Sequence, residues 1–162
     1  MPFTTHTGTA APLLRDNIDT DQIIPSREMK SVSKTGLGEG LFAGQRYSQG
    51  RIENPSFILN QDVYRKATIL LSGKNFGCGS SREHAVWALK EYGFRVIIAE
   101  SFGEIFYNNC LRNGILCVEM DSAPIAKLGN VLIVDLMEQT VSEARFKIAK
   151  SDKHMLLNGL DH

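Results

Sequence analysis

"NFGCGSSREHA", Asn75 to Ala85, sets two glycines, two serines and an arginine at the approach to an apolar helical pattern. On its amino side "ATILLS" (67–72) is a short apolar run with β-branched members, which reads as a buried strand. On its carboxyl side Ala85, Ala88, Leu89 and Tyr92 fall at i, i+3, i+4 and i+7, so a helix is expected from about Ser81 to Tyr92, stopped by Gly93. "RVIIA" (95–99) is the next strand. A second helix is expected from near Ser101, with Phe102, Ile105, Phe106 and Cys110 on one face and Gly114 at its end. "ILCVEM" (115–120) and "VLIVDL" (131–136) read as two more strands around a short helix. Strand–helix alternation of this kind predicts an α/β domain with a partly parallel sheet. The glycine–serine turn then lies at the carboxyl end of a strand, where such sheets bind ligands.

The first third reads differently. "DNIDTDQIIPS" (16–26) suggests a turn and a short apolar strand stopped by Pro25, and "KTGLGEGLFAGQRYSQGR" (34–51) a mobile or ligand-shaped glycine loop. The 162 residues fit one domain over 1–162, large enough for a proper core. Eighteen basic side chains balance eighteen acidic ones, so no bulk field favours nucleic acid or an anionic membrane, and anion recognition must be local. Cys78, Cys110 and Cys117 are an odd set without CxxC spacing, which argues against zinc, an iron–sulfur cluster or a disulfide framework within this chain. The amino terminus lacks a secretory pattern and no apolar run approaches the roughly 18 residues of a membrane span, so a reducing cytoplasm is the default.

The turn itself asks for an anion. Gly77 and Gly79 permit close backbone approach. A helix start presents unpaired N–H groups, and Arg82 adds a fork that grips a carboxylate through two parallel bonds. The bland reading is a capping box, with Ser80 as N-cap and Glu83 reaching back. A Walker loop requires GK[ST] where this chain has Gly79-Ser80-Ser81, and a hydrolase elbow requires G-x-S-x-G. His84, four residues after Ser80, is a candidate base only if a third group orients it. Cys78 reads as a small packing residue.

"GCGSSREHAVWALKEYGFRVIIAESFGEIFYNNCLRNGIL" (77–116), "DNIDTDQIIPS", "TGLGEGLFAGQRY" (35–47) and the terminal "LLNGLD" (156–161) occur in the right order. Together they resemble the small-subunit family of 3-isopropylmalate dehydratase, counterpart of the mobile C-terminal swivelling domain of aconitase. The resemblance implies a β/β/α swivel domain. It implies a heterodimer or higher assembly with a large subunit that carries a 4Fe-4S cluster, no cofactor in this chain, and a small dicarboxylate substrate. The hydroxyl of a 2-hydroxy dicarboxylic acid would move between adjacent carbons by dehydration and rehydration. Ser80 would be the proton-abstracting alkoxide, with Asp21 helping to complete the site and Ser81 and Arg82 holding a substrate carboxylate. Arg27, Met29 and Lys30 would lie in the segment that reads the substrate's variable arm.

Two features depart from the family. Glu28 stands where an aromatic is usual, and a carboxylate buried against an isopropyl group would be costly. Either Glu28 points away or the substrate is smaller or different, of the citramalate/citraconate or homoaconitate type. Members usually continue past "LLNGLD" into another helical segment, whereas this chain stops at His162; the expectation is either a truncated carboxyl end or a short member of the family. A reading from another class is a stand-alone carboxylate-binding regulatory module, which would tolerate loss of the Ser80 hydroxyl.

Overall fold

Ala10, Ile69, Val96 and Leu116 stand in register across four neighbouring strands, and the next row is Ala11, Leu70, Ile97 and Cys117. Successive side chains of a strand point to opposite faces. The first row therefore enters one hydrophobic cluster and the second row another, and all eight residues are buried. Strands covered on both faces read as continuous apolar runs, which is why "ATILL" and "RVIIA" were legible. In this computed structural model, which describes residues 2–29, 36–80 and 82–159, the chain begins with β1 (Thr5–Pro12), α1 (Thr20–Ile23) and α2 (Ala43–Arg46). A small hairpin of β2 (Tyr47–Ser48) and β3 (Ile52–Glu53) follows. Then come β4 (Ile69–Leu71), α3 (Glu83–Tyr92), β5 (Val96–Ala99), α4 (Glu104–Arg112) and β6 (Leu116–Glu119). The chain continues through α5 (Ser122–Ala126), β7 (Val131–Asp135), β8 (Thr140–Val141), β9 (Ala144–Arg145) and α6 (Lys150–Asn158).

The main sheet runs β6-β5-β4-β1-β7-β8-β9. β1, β4, β5 and β6 are parallel, and β7 to β9 extend the other edge antiparallel. This is the expected α/β class with a partly parallel sheet. Helix α3 covers one face through Ala85, Val86, Ala88 and Leu89; Ile125 of α5 and Leu156 of α6 cover the other. Each fully buried large aliphatic side chain contributes roughly 1.5–3 kcal/mol.

Four expectations change. β1, the central strand, lies in "THTGTAAP", whose threonines and glycine carry too little hydrophobicity to announce it. The strand expected in "DNIDTDQIIPS" is instead α1. The Asp19 carboxylate accepts from the Gln22 N–H at 2.8 Å, and the Gln22 side-chain oxygen accepts from the Asp19 N–H at 3.2 Å, a reciprocal cap that turns the backbone helical. Ile105 leaves the apolar face of α4 and is 57% exposed. In the glycine loop, the described part from Gly36 is packed rather than mobile. Leu41 and Phe42 are fully buried, and the Glu91 carboxylate accepts the Gly36 and Gly38 N–H groups at 2.7 and 2.8 Å.

Candidate active site

The glycine–serine turn after β4 is built between two other segments. On one side the Gly77 N–H donates to Ile18 O at 2.7 Å and the Thr20 N–H to Cys78 O at 2.9 Å. On the other, the Phe76 N–H donates to Ser101 O at 3.0 Å and the Gly103 N–H to Phe76 O at 2.9 Å. Both glycines are needed. Gly77 and Gly79 have φ of +80° and +93°, and a Cβ on Gly77 would lie 2.2 Å from the Phe106 ring. The turn, Thr20 and the start of α4 line a cleft of about 300 Å³.

Two sequence-distant motifs meet there. An Arg82 Nη1 donates to Asp21 Oδ1 at 3.2 Å, with Arg82 27% and Asp21 65% exposed. An exposed pair of this kind contributes about 0–1 kcal/mol, so its use is orientation rather than stability. The Thr20 hydroxyl donates to the Ser80 carbonyl at 2.7 Å. Ser80 itself is exposed, between Gly79 and Arg82, which both line the cleft. Its hydroxyl donates to no described residue, so nothing among them competes for it.

The capping box does not form. Helix α3 starts at Glu83 with Arg82 at the N-cap and no side-chain cap, and the Glu83 carboxylate accepts from Asn113 Nδ2 at 3.2 Å. His84 packs its ring on Trp87, with centroids 4.9 Å apart, and makes no pair with Ser80. Cys78 lines the cleft half-buried. Cys110 and Cys117 are buried, and burial first, then the neighbouring Cys117, pushes the Cys110 thiol well above its ordinary range. Among the described residues no group of three or more His, Cys, Asp or Glu is placed to hold a metal ion, and no helix is long and apolar enough to cross a membrane.

The segment expected to read the substrate's variable arm lies outside this cleft. Arg27 lines a separate cavity of about 350 Å³ with Tyr47, Ser48 and Arg51, and Met29 packs half-buried against the α3-side core. Glu28 turns its Cβ towards Gly40. Its carboxylate pairs with Arg51 at 3.0 Å and Arg27 at 3.6 Å. Ser81 and Lys30 lie outside the described residues.

Sequence reasoning missed Thr20, Glu104 and Asn109, all lining the cleft. Thr20 and Asn109 carry polar side chains that are 2% and 5% exposed. For Asn109 a signal was available: it sits three residues after Phe106 on the buried face of α4, where a polar residue calls for a partner.

Residues 1–123 match the family described as Aconitase C-terminal domain. A 3-isopropylmalate dehydratase small subunit from Cupriavidus necator is 55% identical over 176 residues, covering 99% of this chain and 85% of that protein. One from Nitrobacter hamburgensis is 50% identical, covering 98% and 86%. The crystal structure of a 3-isopropylmalate dehydratase from Methanocaldococcus jannaschii superposes with a TM-score of 0.74 at 25% identity, covering 98% of this chain and 90% of that one. The chain belongs to the Aconitase C-terminal domain family and, within it, to the family of 3-isopropylmalate dehydratase small subunits.

Proposed function

We propose that this chain, as one swivel domain, is the small subunit of a hydro-lyase that interconverts 2-isopropylmalate and 3-isopropylmalate in leucine biosynthesis, and acts only when docked on a large subunit. The observation that carries the reading is the junction of the two motifs at one cleft, Asp21 on Arg82 and Thr20 on Ser80. A 4Fe-4S cluster would belong to the partner, since the described residues offer it no ligand set.

In this reading Ser80 takes the proton from the carbon adjacent to the hydroxyl-bearing one during dehydration, and returns it on rehydration. A serine alkoxide needs stabilisation, and the helix start beyond it supplies N–H groups and positive potential. Arg82 holds a substrate carboxylate. Asp21 takes one N–H of a guanidinium that has five, which fixes the fork's orientation and leaves donors for the substrate. Ser81 would share that carboxylate, and Arg27, Met29 and Lys30 would border the variable arm.

Glu28 raises no objection to the isopropyl substrate. Its carboxylate is paired with Arg51 and does not line the cleft, so the cost of setting an apolar arm against a bare carboxylate does not arise. The test is reconstitution with the large subunit of the same organism, following hydration of isopropylmaleate and of citraconate. Isopropylmaleate should turn over, and Ser80→Ala should lower kcat at least ~100-fold. Turnover of citraconate alone would replace the substrate, and full activity of Ser80→Ala would remove the base.

A further inference from the structure

We infer that Thr20 is a positioning residue for Ser80: its hydroxyl fixes the orientation of the Ser80 peptide and thereby aims the Ser80 side chain. The inference rests on the reading of Ser80 as the base.

Among the described residues, the backbone bonds that hold the turn run out just before the residue that matters. Backbone bonds from Ile18 and Thr20 fix the turn as far as Cys78. Gly79 follows at φ +93°, and glycine has no side chain to hold its neighbours in place. Beyond Ser80, α3 begins only at Glu83, and its N-cap Arg82 makes no side-chain capping bond, its guanidinium reaching Asp21 instead. Between these points the Thr20 hydroxyl, donating to Ser80 O at 2.7 Å across 60 residues of sequence, restrains the Ser80 backbone. Thr20 is itself 2% exposed and stands on a helix held by the Asp19–Gln22 cap. A threonine hydroxyl has a single proton to donate, so the Ser80 carbonyl takes all of it. The neighbouring Asp21 holds Arg82, so one short helix orients both groups.

A merely structural role makes a different prediction. If Thr20 only satisfies its own buried hydroxyl, Thr20→Val lowers the melting temperature and leaves the folded enzyme's chemistry alone. If it aims Ser80, displacing the base slows proton abstraction, and a misplacement on the order of 1 Å costs up to about 100-fold.

The experiment uses the reconstituted complex with isopropylmalate, unlabelled and deuterated at the carbon that loses the proton. Thr20→Val should lower kcat roughly 10- to 100-fold with KM within about threefold, and raise the deuterium isotope effect on kcat, because an interaction used in the transition state has been removed. Thr20→Ser, which keeps the donor, should recover kcat to within about threefold. In the Ser80→Ala background Thr20→Val should cost little more, as expected for groups that act as a unit. A Thr20→Val enzyme with wild-type kcat overturns the inference, and so does a loss with unchanged isotope effect that multiplies undiminished onto Ser80→Ala. Full activity of Ser80→Ala overturns the base assignment beneath it, so the two failures are told apart.

Discussion

Gly77→Ala tests whether the turn is held by close approach as well as by backbone conformation. A Cβ at this position would meet Phe106 Cγ, Cδ2 and Cβ at 2.2, 2.5 and 2.7 Å, and the residue sits at φ +80°. The left-handed conformation costs an L-residue about 1–2 kcal/mol. The clash adds about 1–3 kcal/mol, because Phe106 is buried and packed edge-on against Phe76 at 5.4 Å and has little freedom to retreat. The sum is about 2–5 kcal/mol, a large share of the roughly 5–15 kcal/mol that stabilises a domain. Gly79→Ala is the internal control: its nearest new contact is Asp19 Cβ at 3.3 Å, so mainly the conformational cost of about 1–2 kcal/mol remains. Urea unfolding of the isolated chain reads both through the midpoint at constant slope. A Gly77→Ala variant within about 0.5 kcal/mol of wild type, or no worse than Gly79→Ala, would refute the argument that Phe106 forbids a side chain here.

Arg82→Lys keeps the charge and loses the planar fork, so KM for isopropylmaleate in the reconstituted enzyme should rise roughly 10- to 100-fold, the size of one charge-assisted hydrogen bond; an unchanged KM would take Arg82 away from the substrate. His6 donates or accepts at Thr68 Oγ1 over 2.7 Å, and burial, then the nearby Arg95 charge, lowers its pKa below the ordinary value near 6.5. The unfolded chain therefore binds a proton that the folded chain refuses, and stability falls as pH drops below about 6.5. His6→Gln should flatten that fall in urea midpoints measured between pH 7.5 and 5.5, and an equally steep fall would dismiss His6 as its source.

The inner strands were readable because both faces of "ATILL" and "RVIIA" are covered, which leaves an unbroken apolar run. β1 sits at the centre of the same sheet yet went unread. Its burial is uneven, Ala10 and Ala11 being buried while Thr5 and Thr7 are exposed, so neither a continuous run nor a clean alternation of apolar residues appears. The helix in "DTDQ" was hidden by Ile23 and Ile24, which imitate a strand although Asp19 and Gln22 cap a turn of helix. At the site, the turn's composition announced an anion-binding loop but not its partner. No local pattern shows that Thr20 and Asp21 lie against Ser80 and Arg82, some 60 residues apart; that contact is created by the parallel pairing of β1 with β4, which starts both loops from the same edge.

The charges at the cleft argue that this chain holds only part of a substrate site. Among the described residues, the charged groups lining the cleft are Arg82 and Glu104, and the exposed Asp21 is already paired with Arg82. One guanidinium facing two carboxylates offers a dicarboxylate no net attraction. Each unpaired like-charge contact at about 4 Å costs between roughly 1 kcal/mol in water and 4 kcal/mol near a protein surface. A stand-alone carboxylate-binding module would need an excess of positive charge here. A small subunit as proposed would not, because the substrate's remaining charge would be met from the partner's side. Calorimetric titration of the isolated chain with 2-isopropylmalate should therefore show no binding tighter than about 1 mM, which corresponds to roughly 4 kcal/mol. Binding at or below about 10 µM would show that the cleft is complete by itself, and would return the regulatory-module reading in place of the subunit.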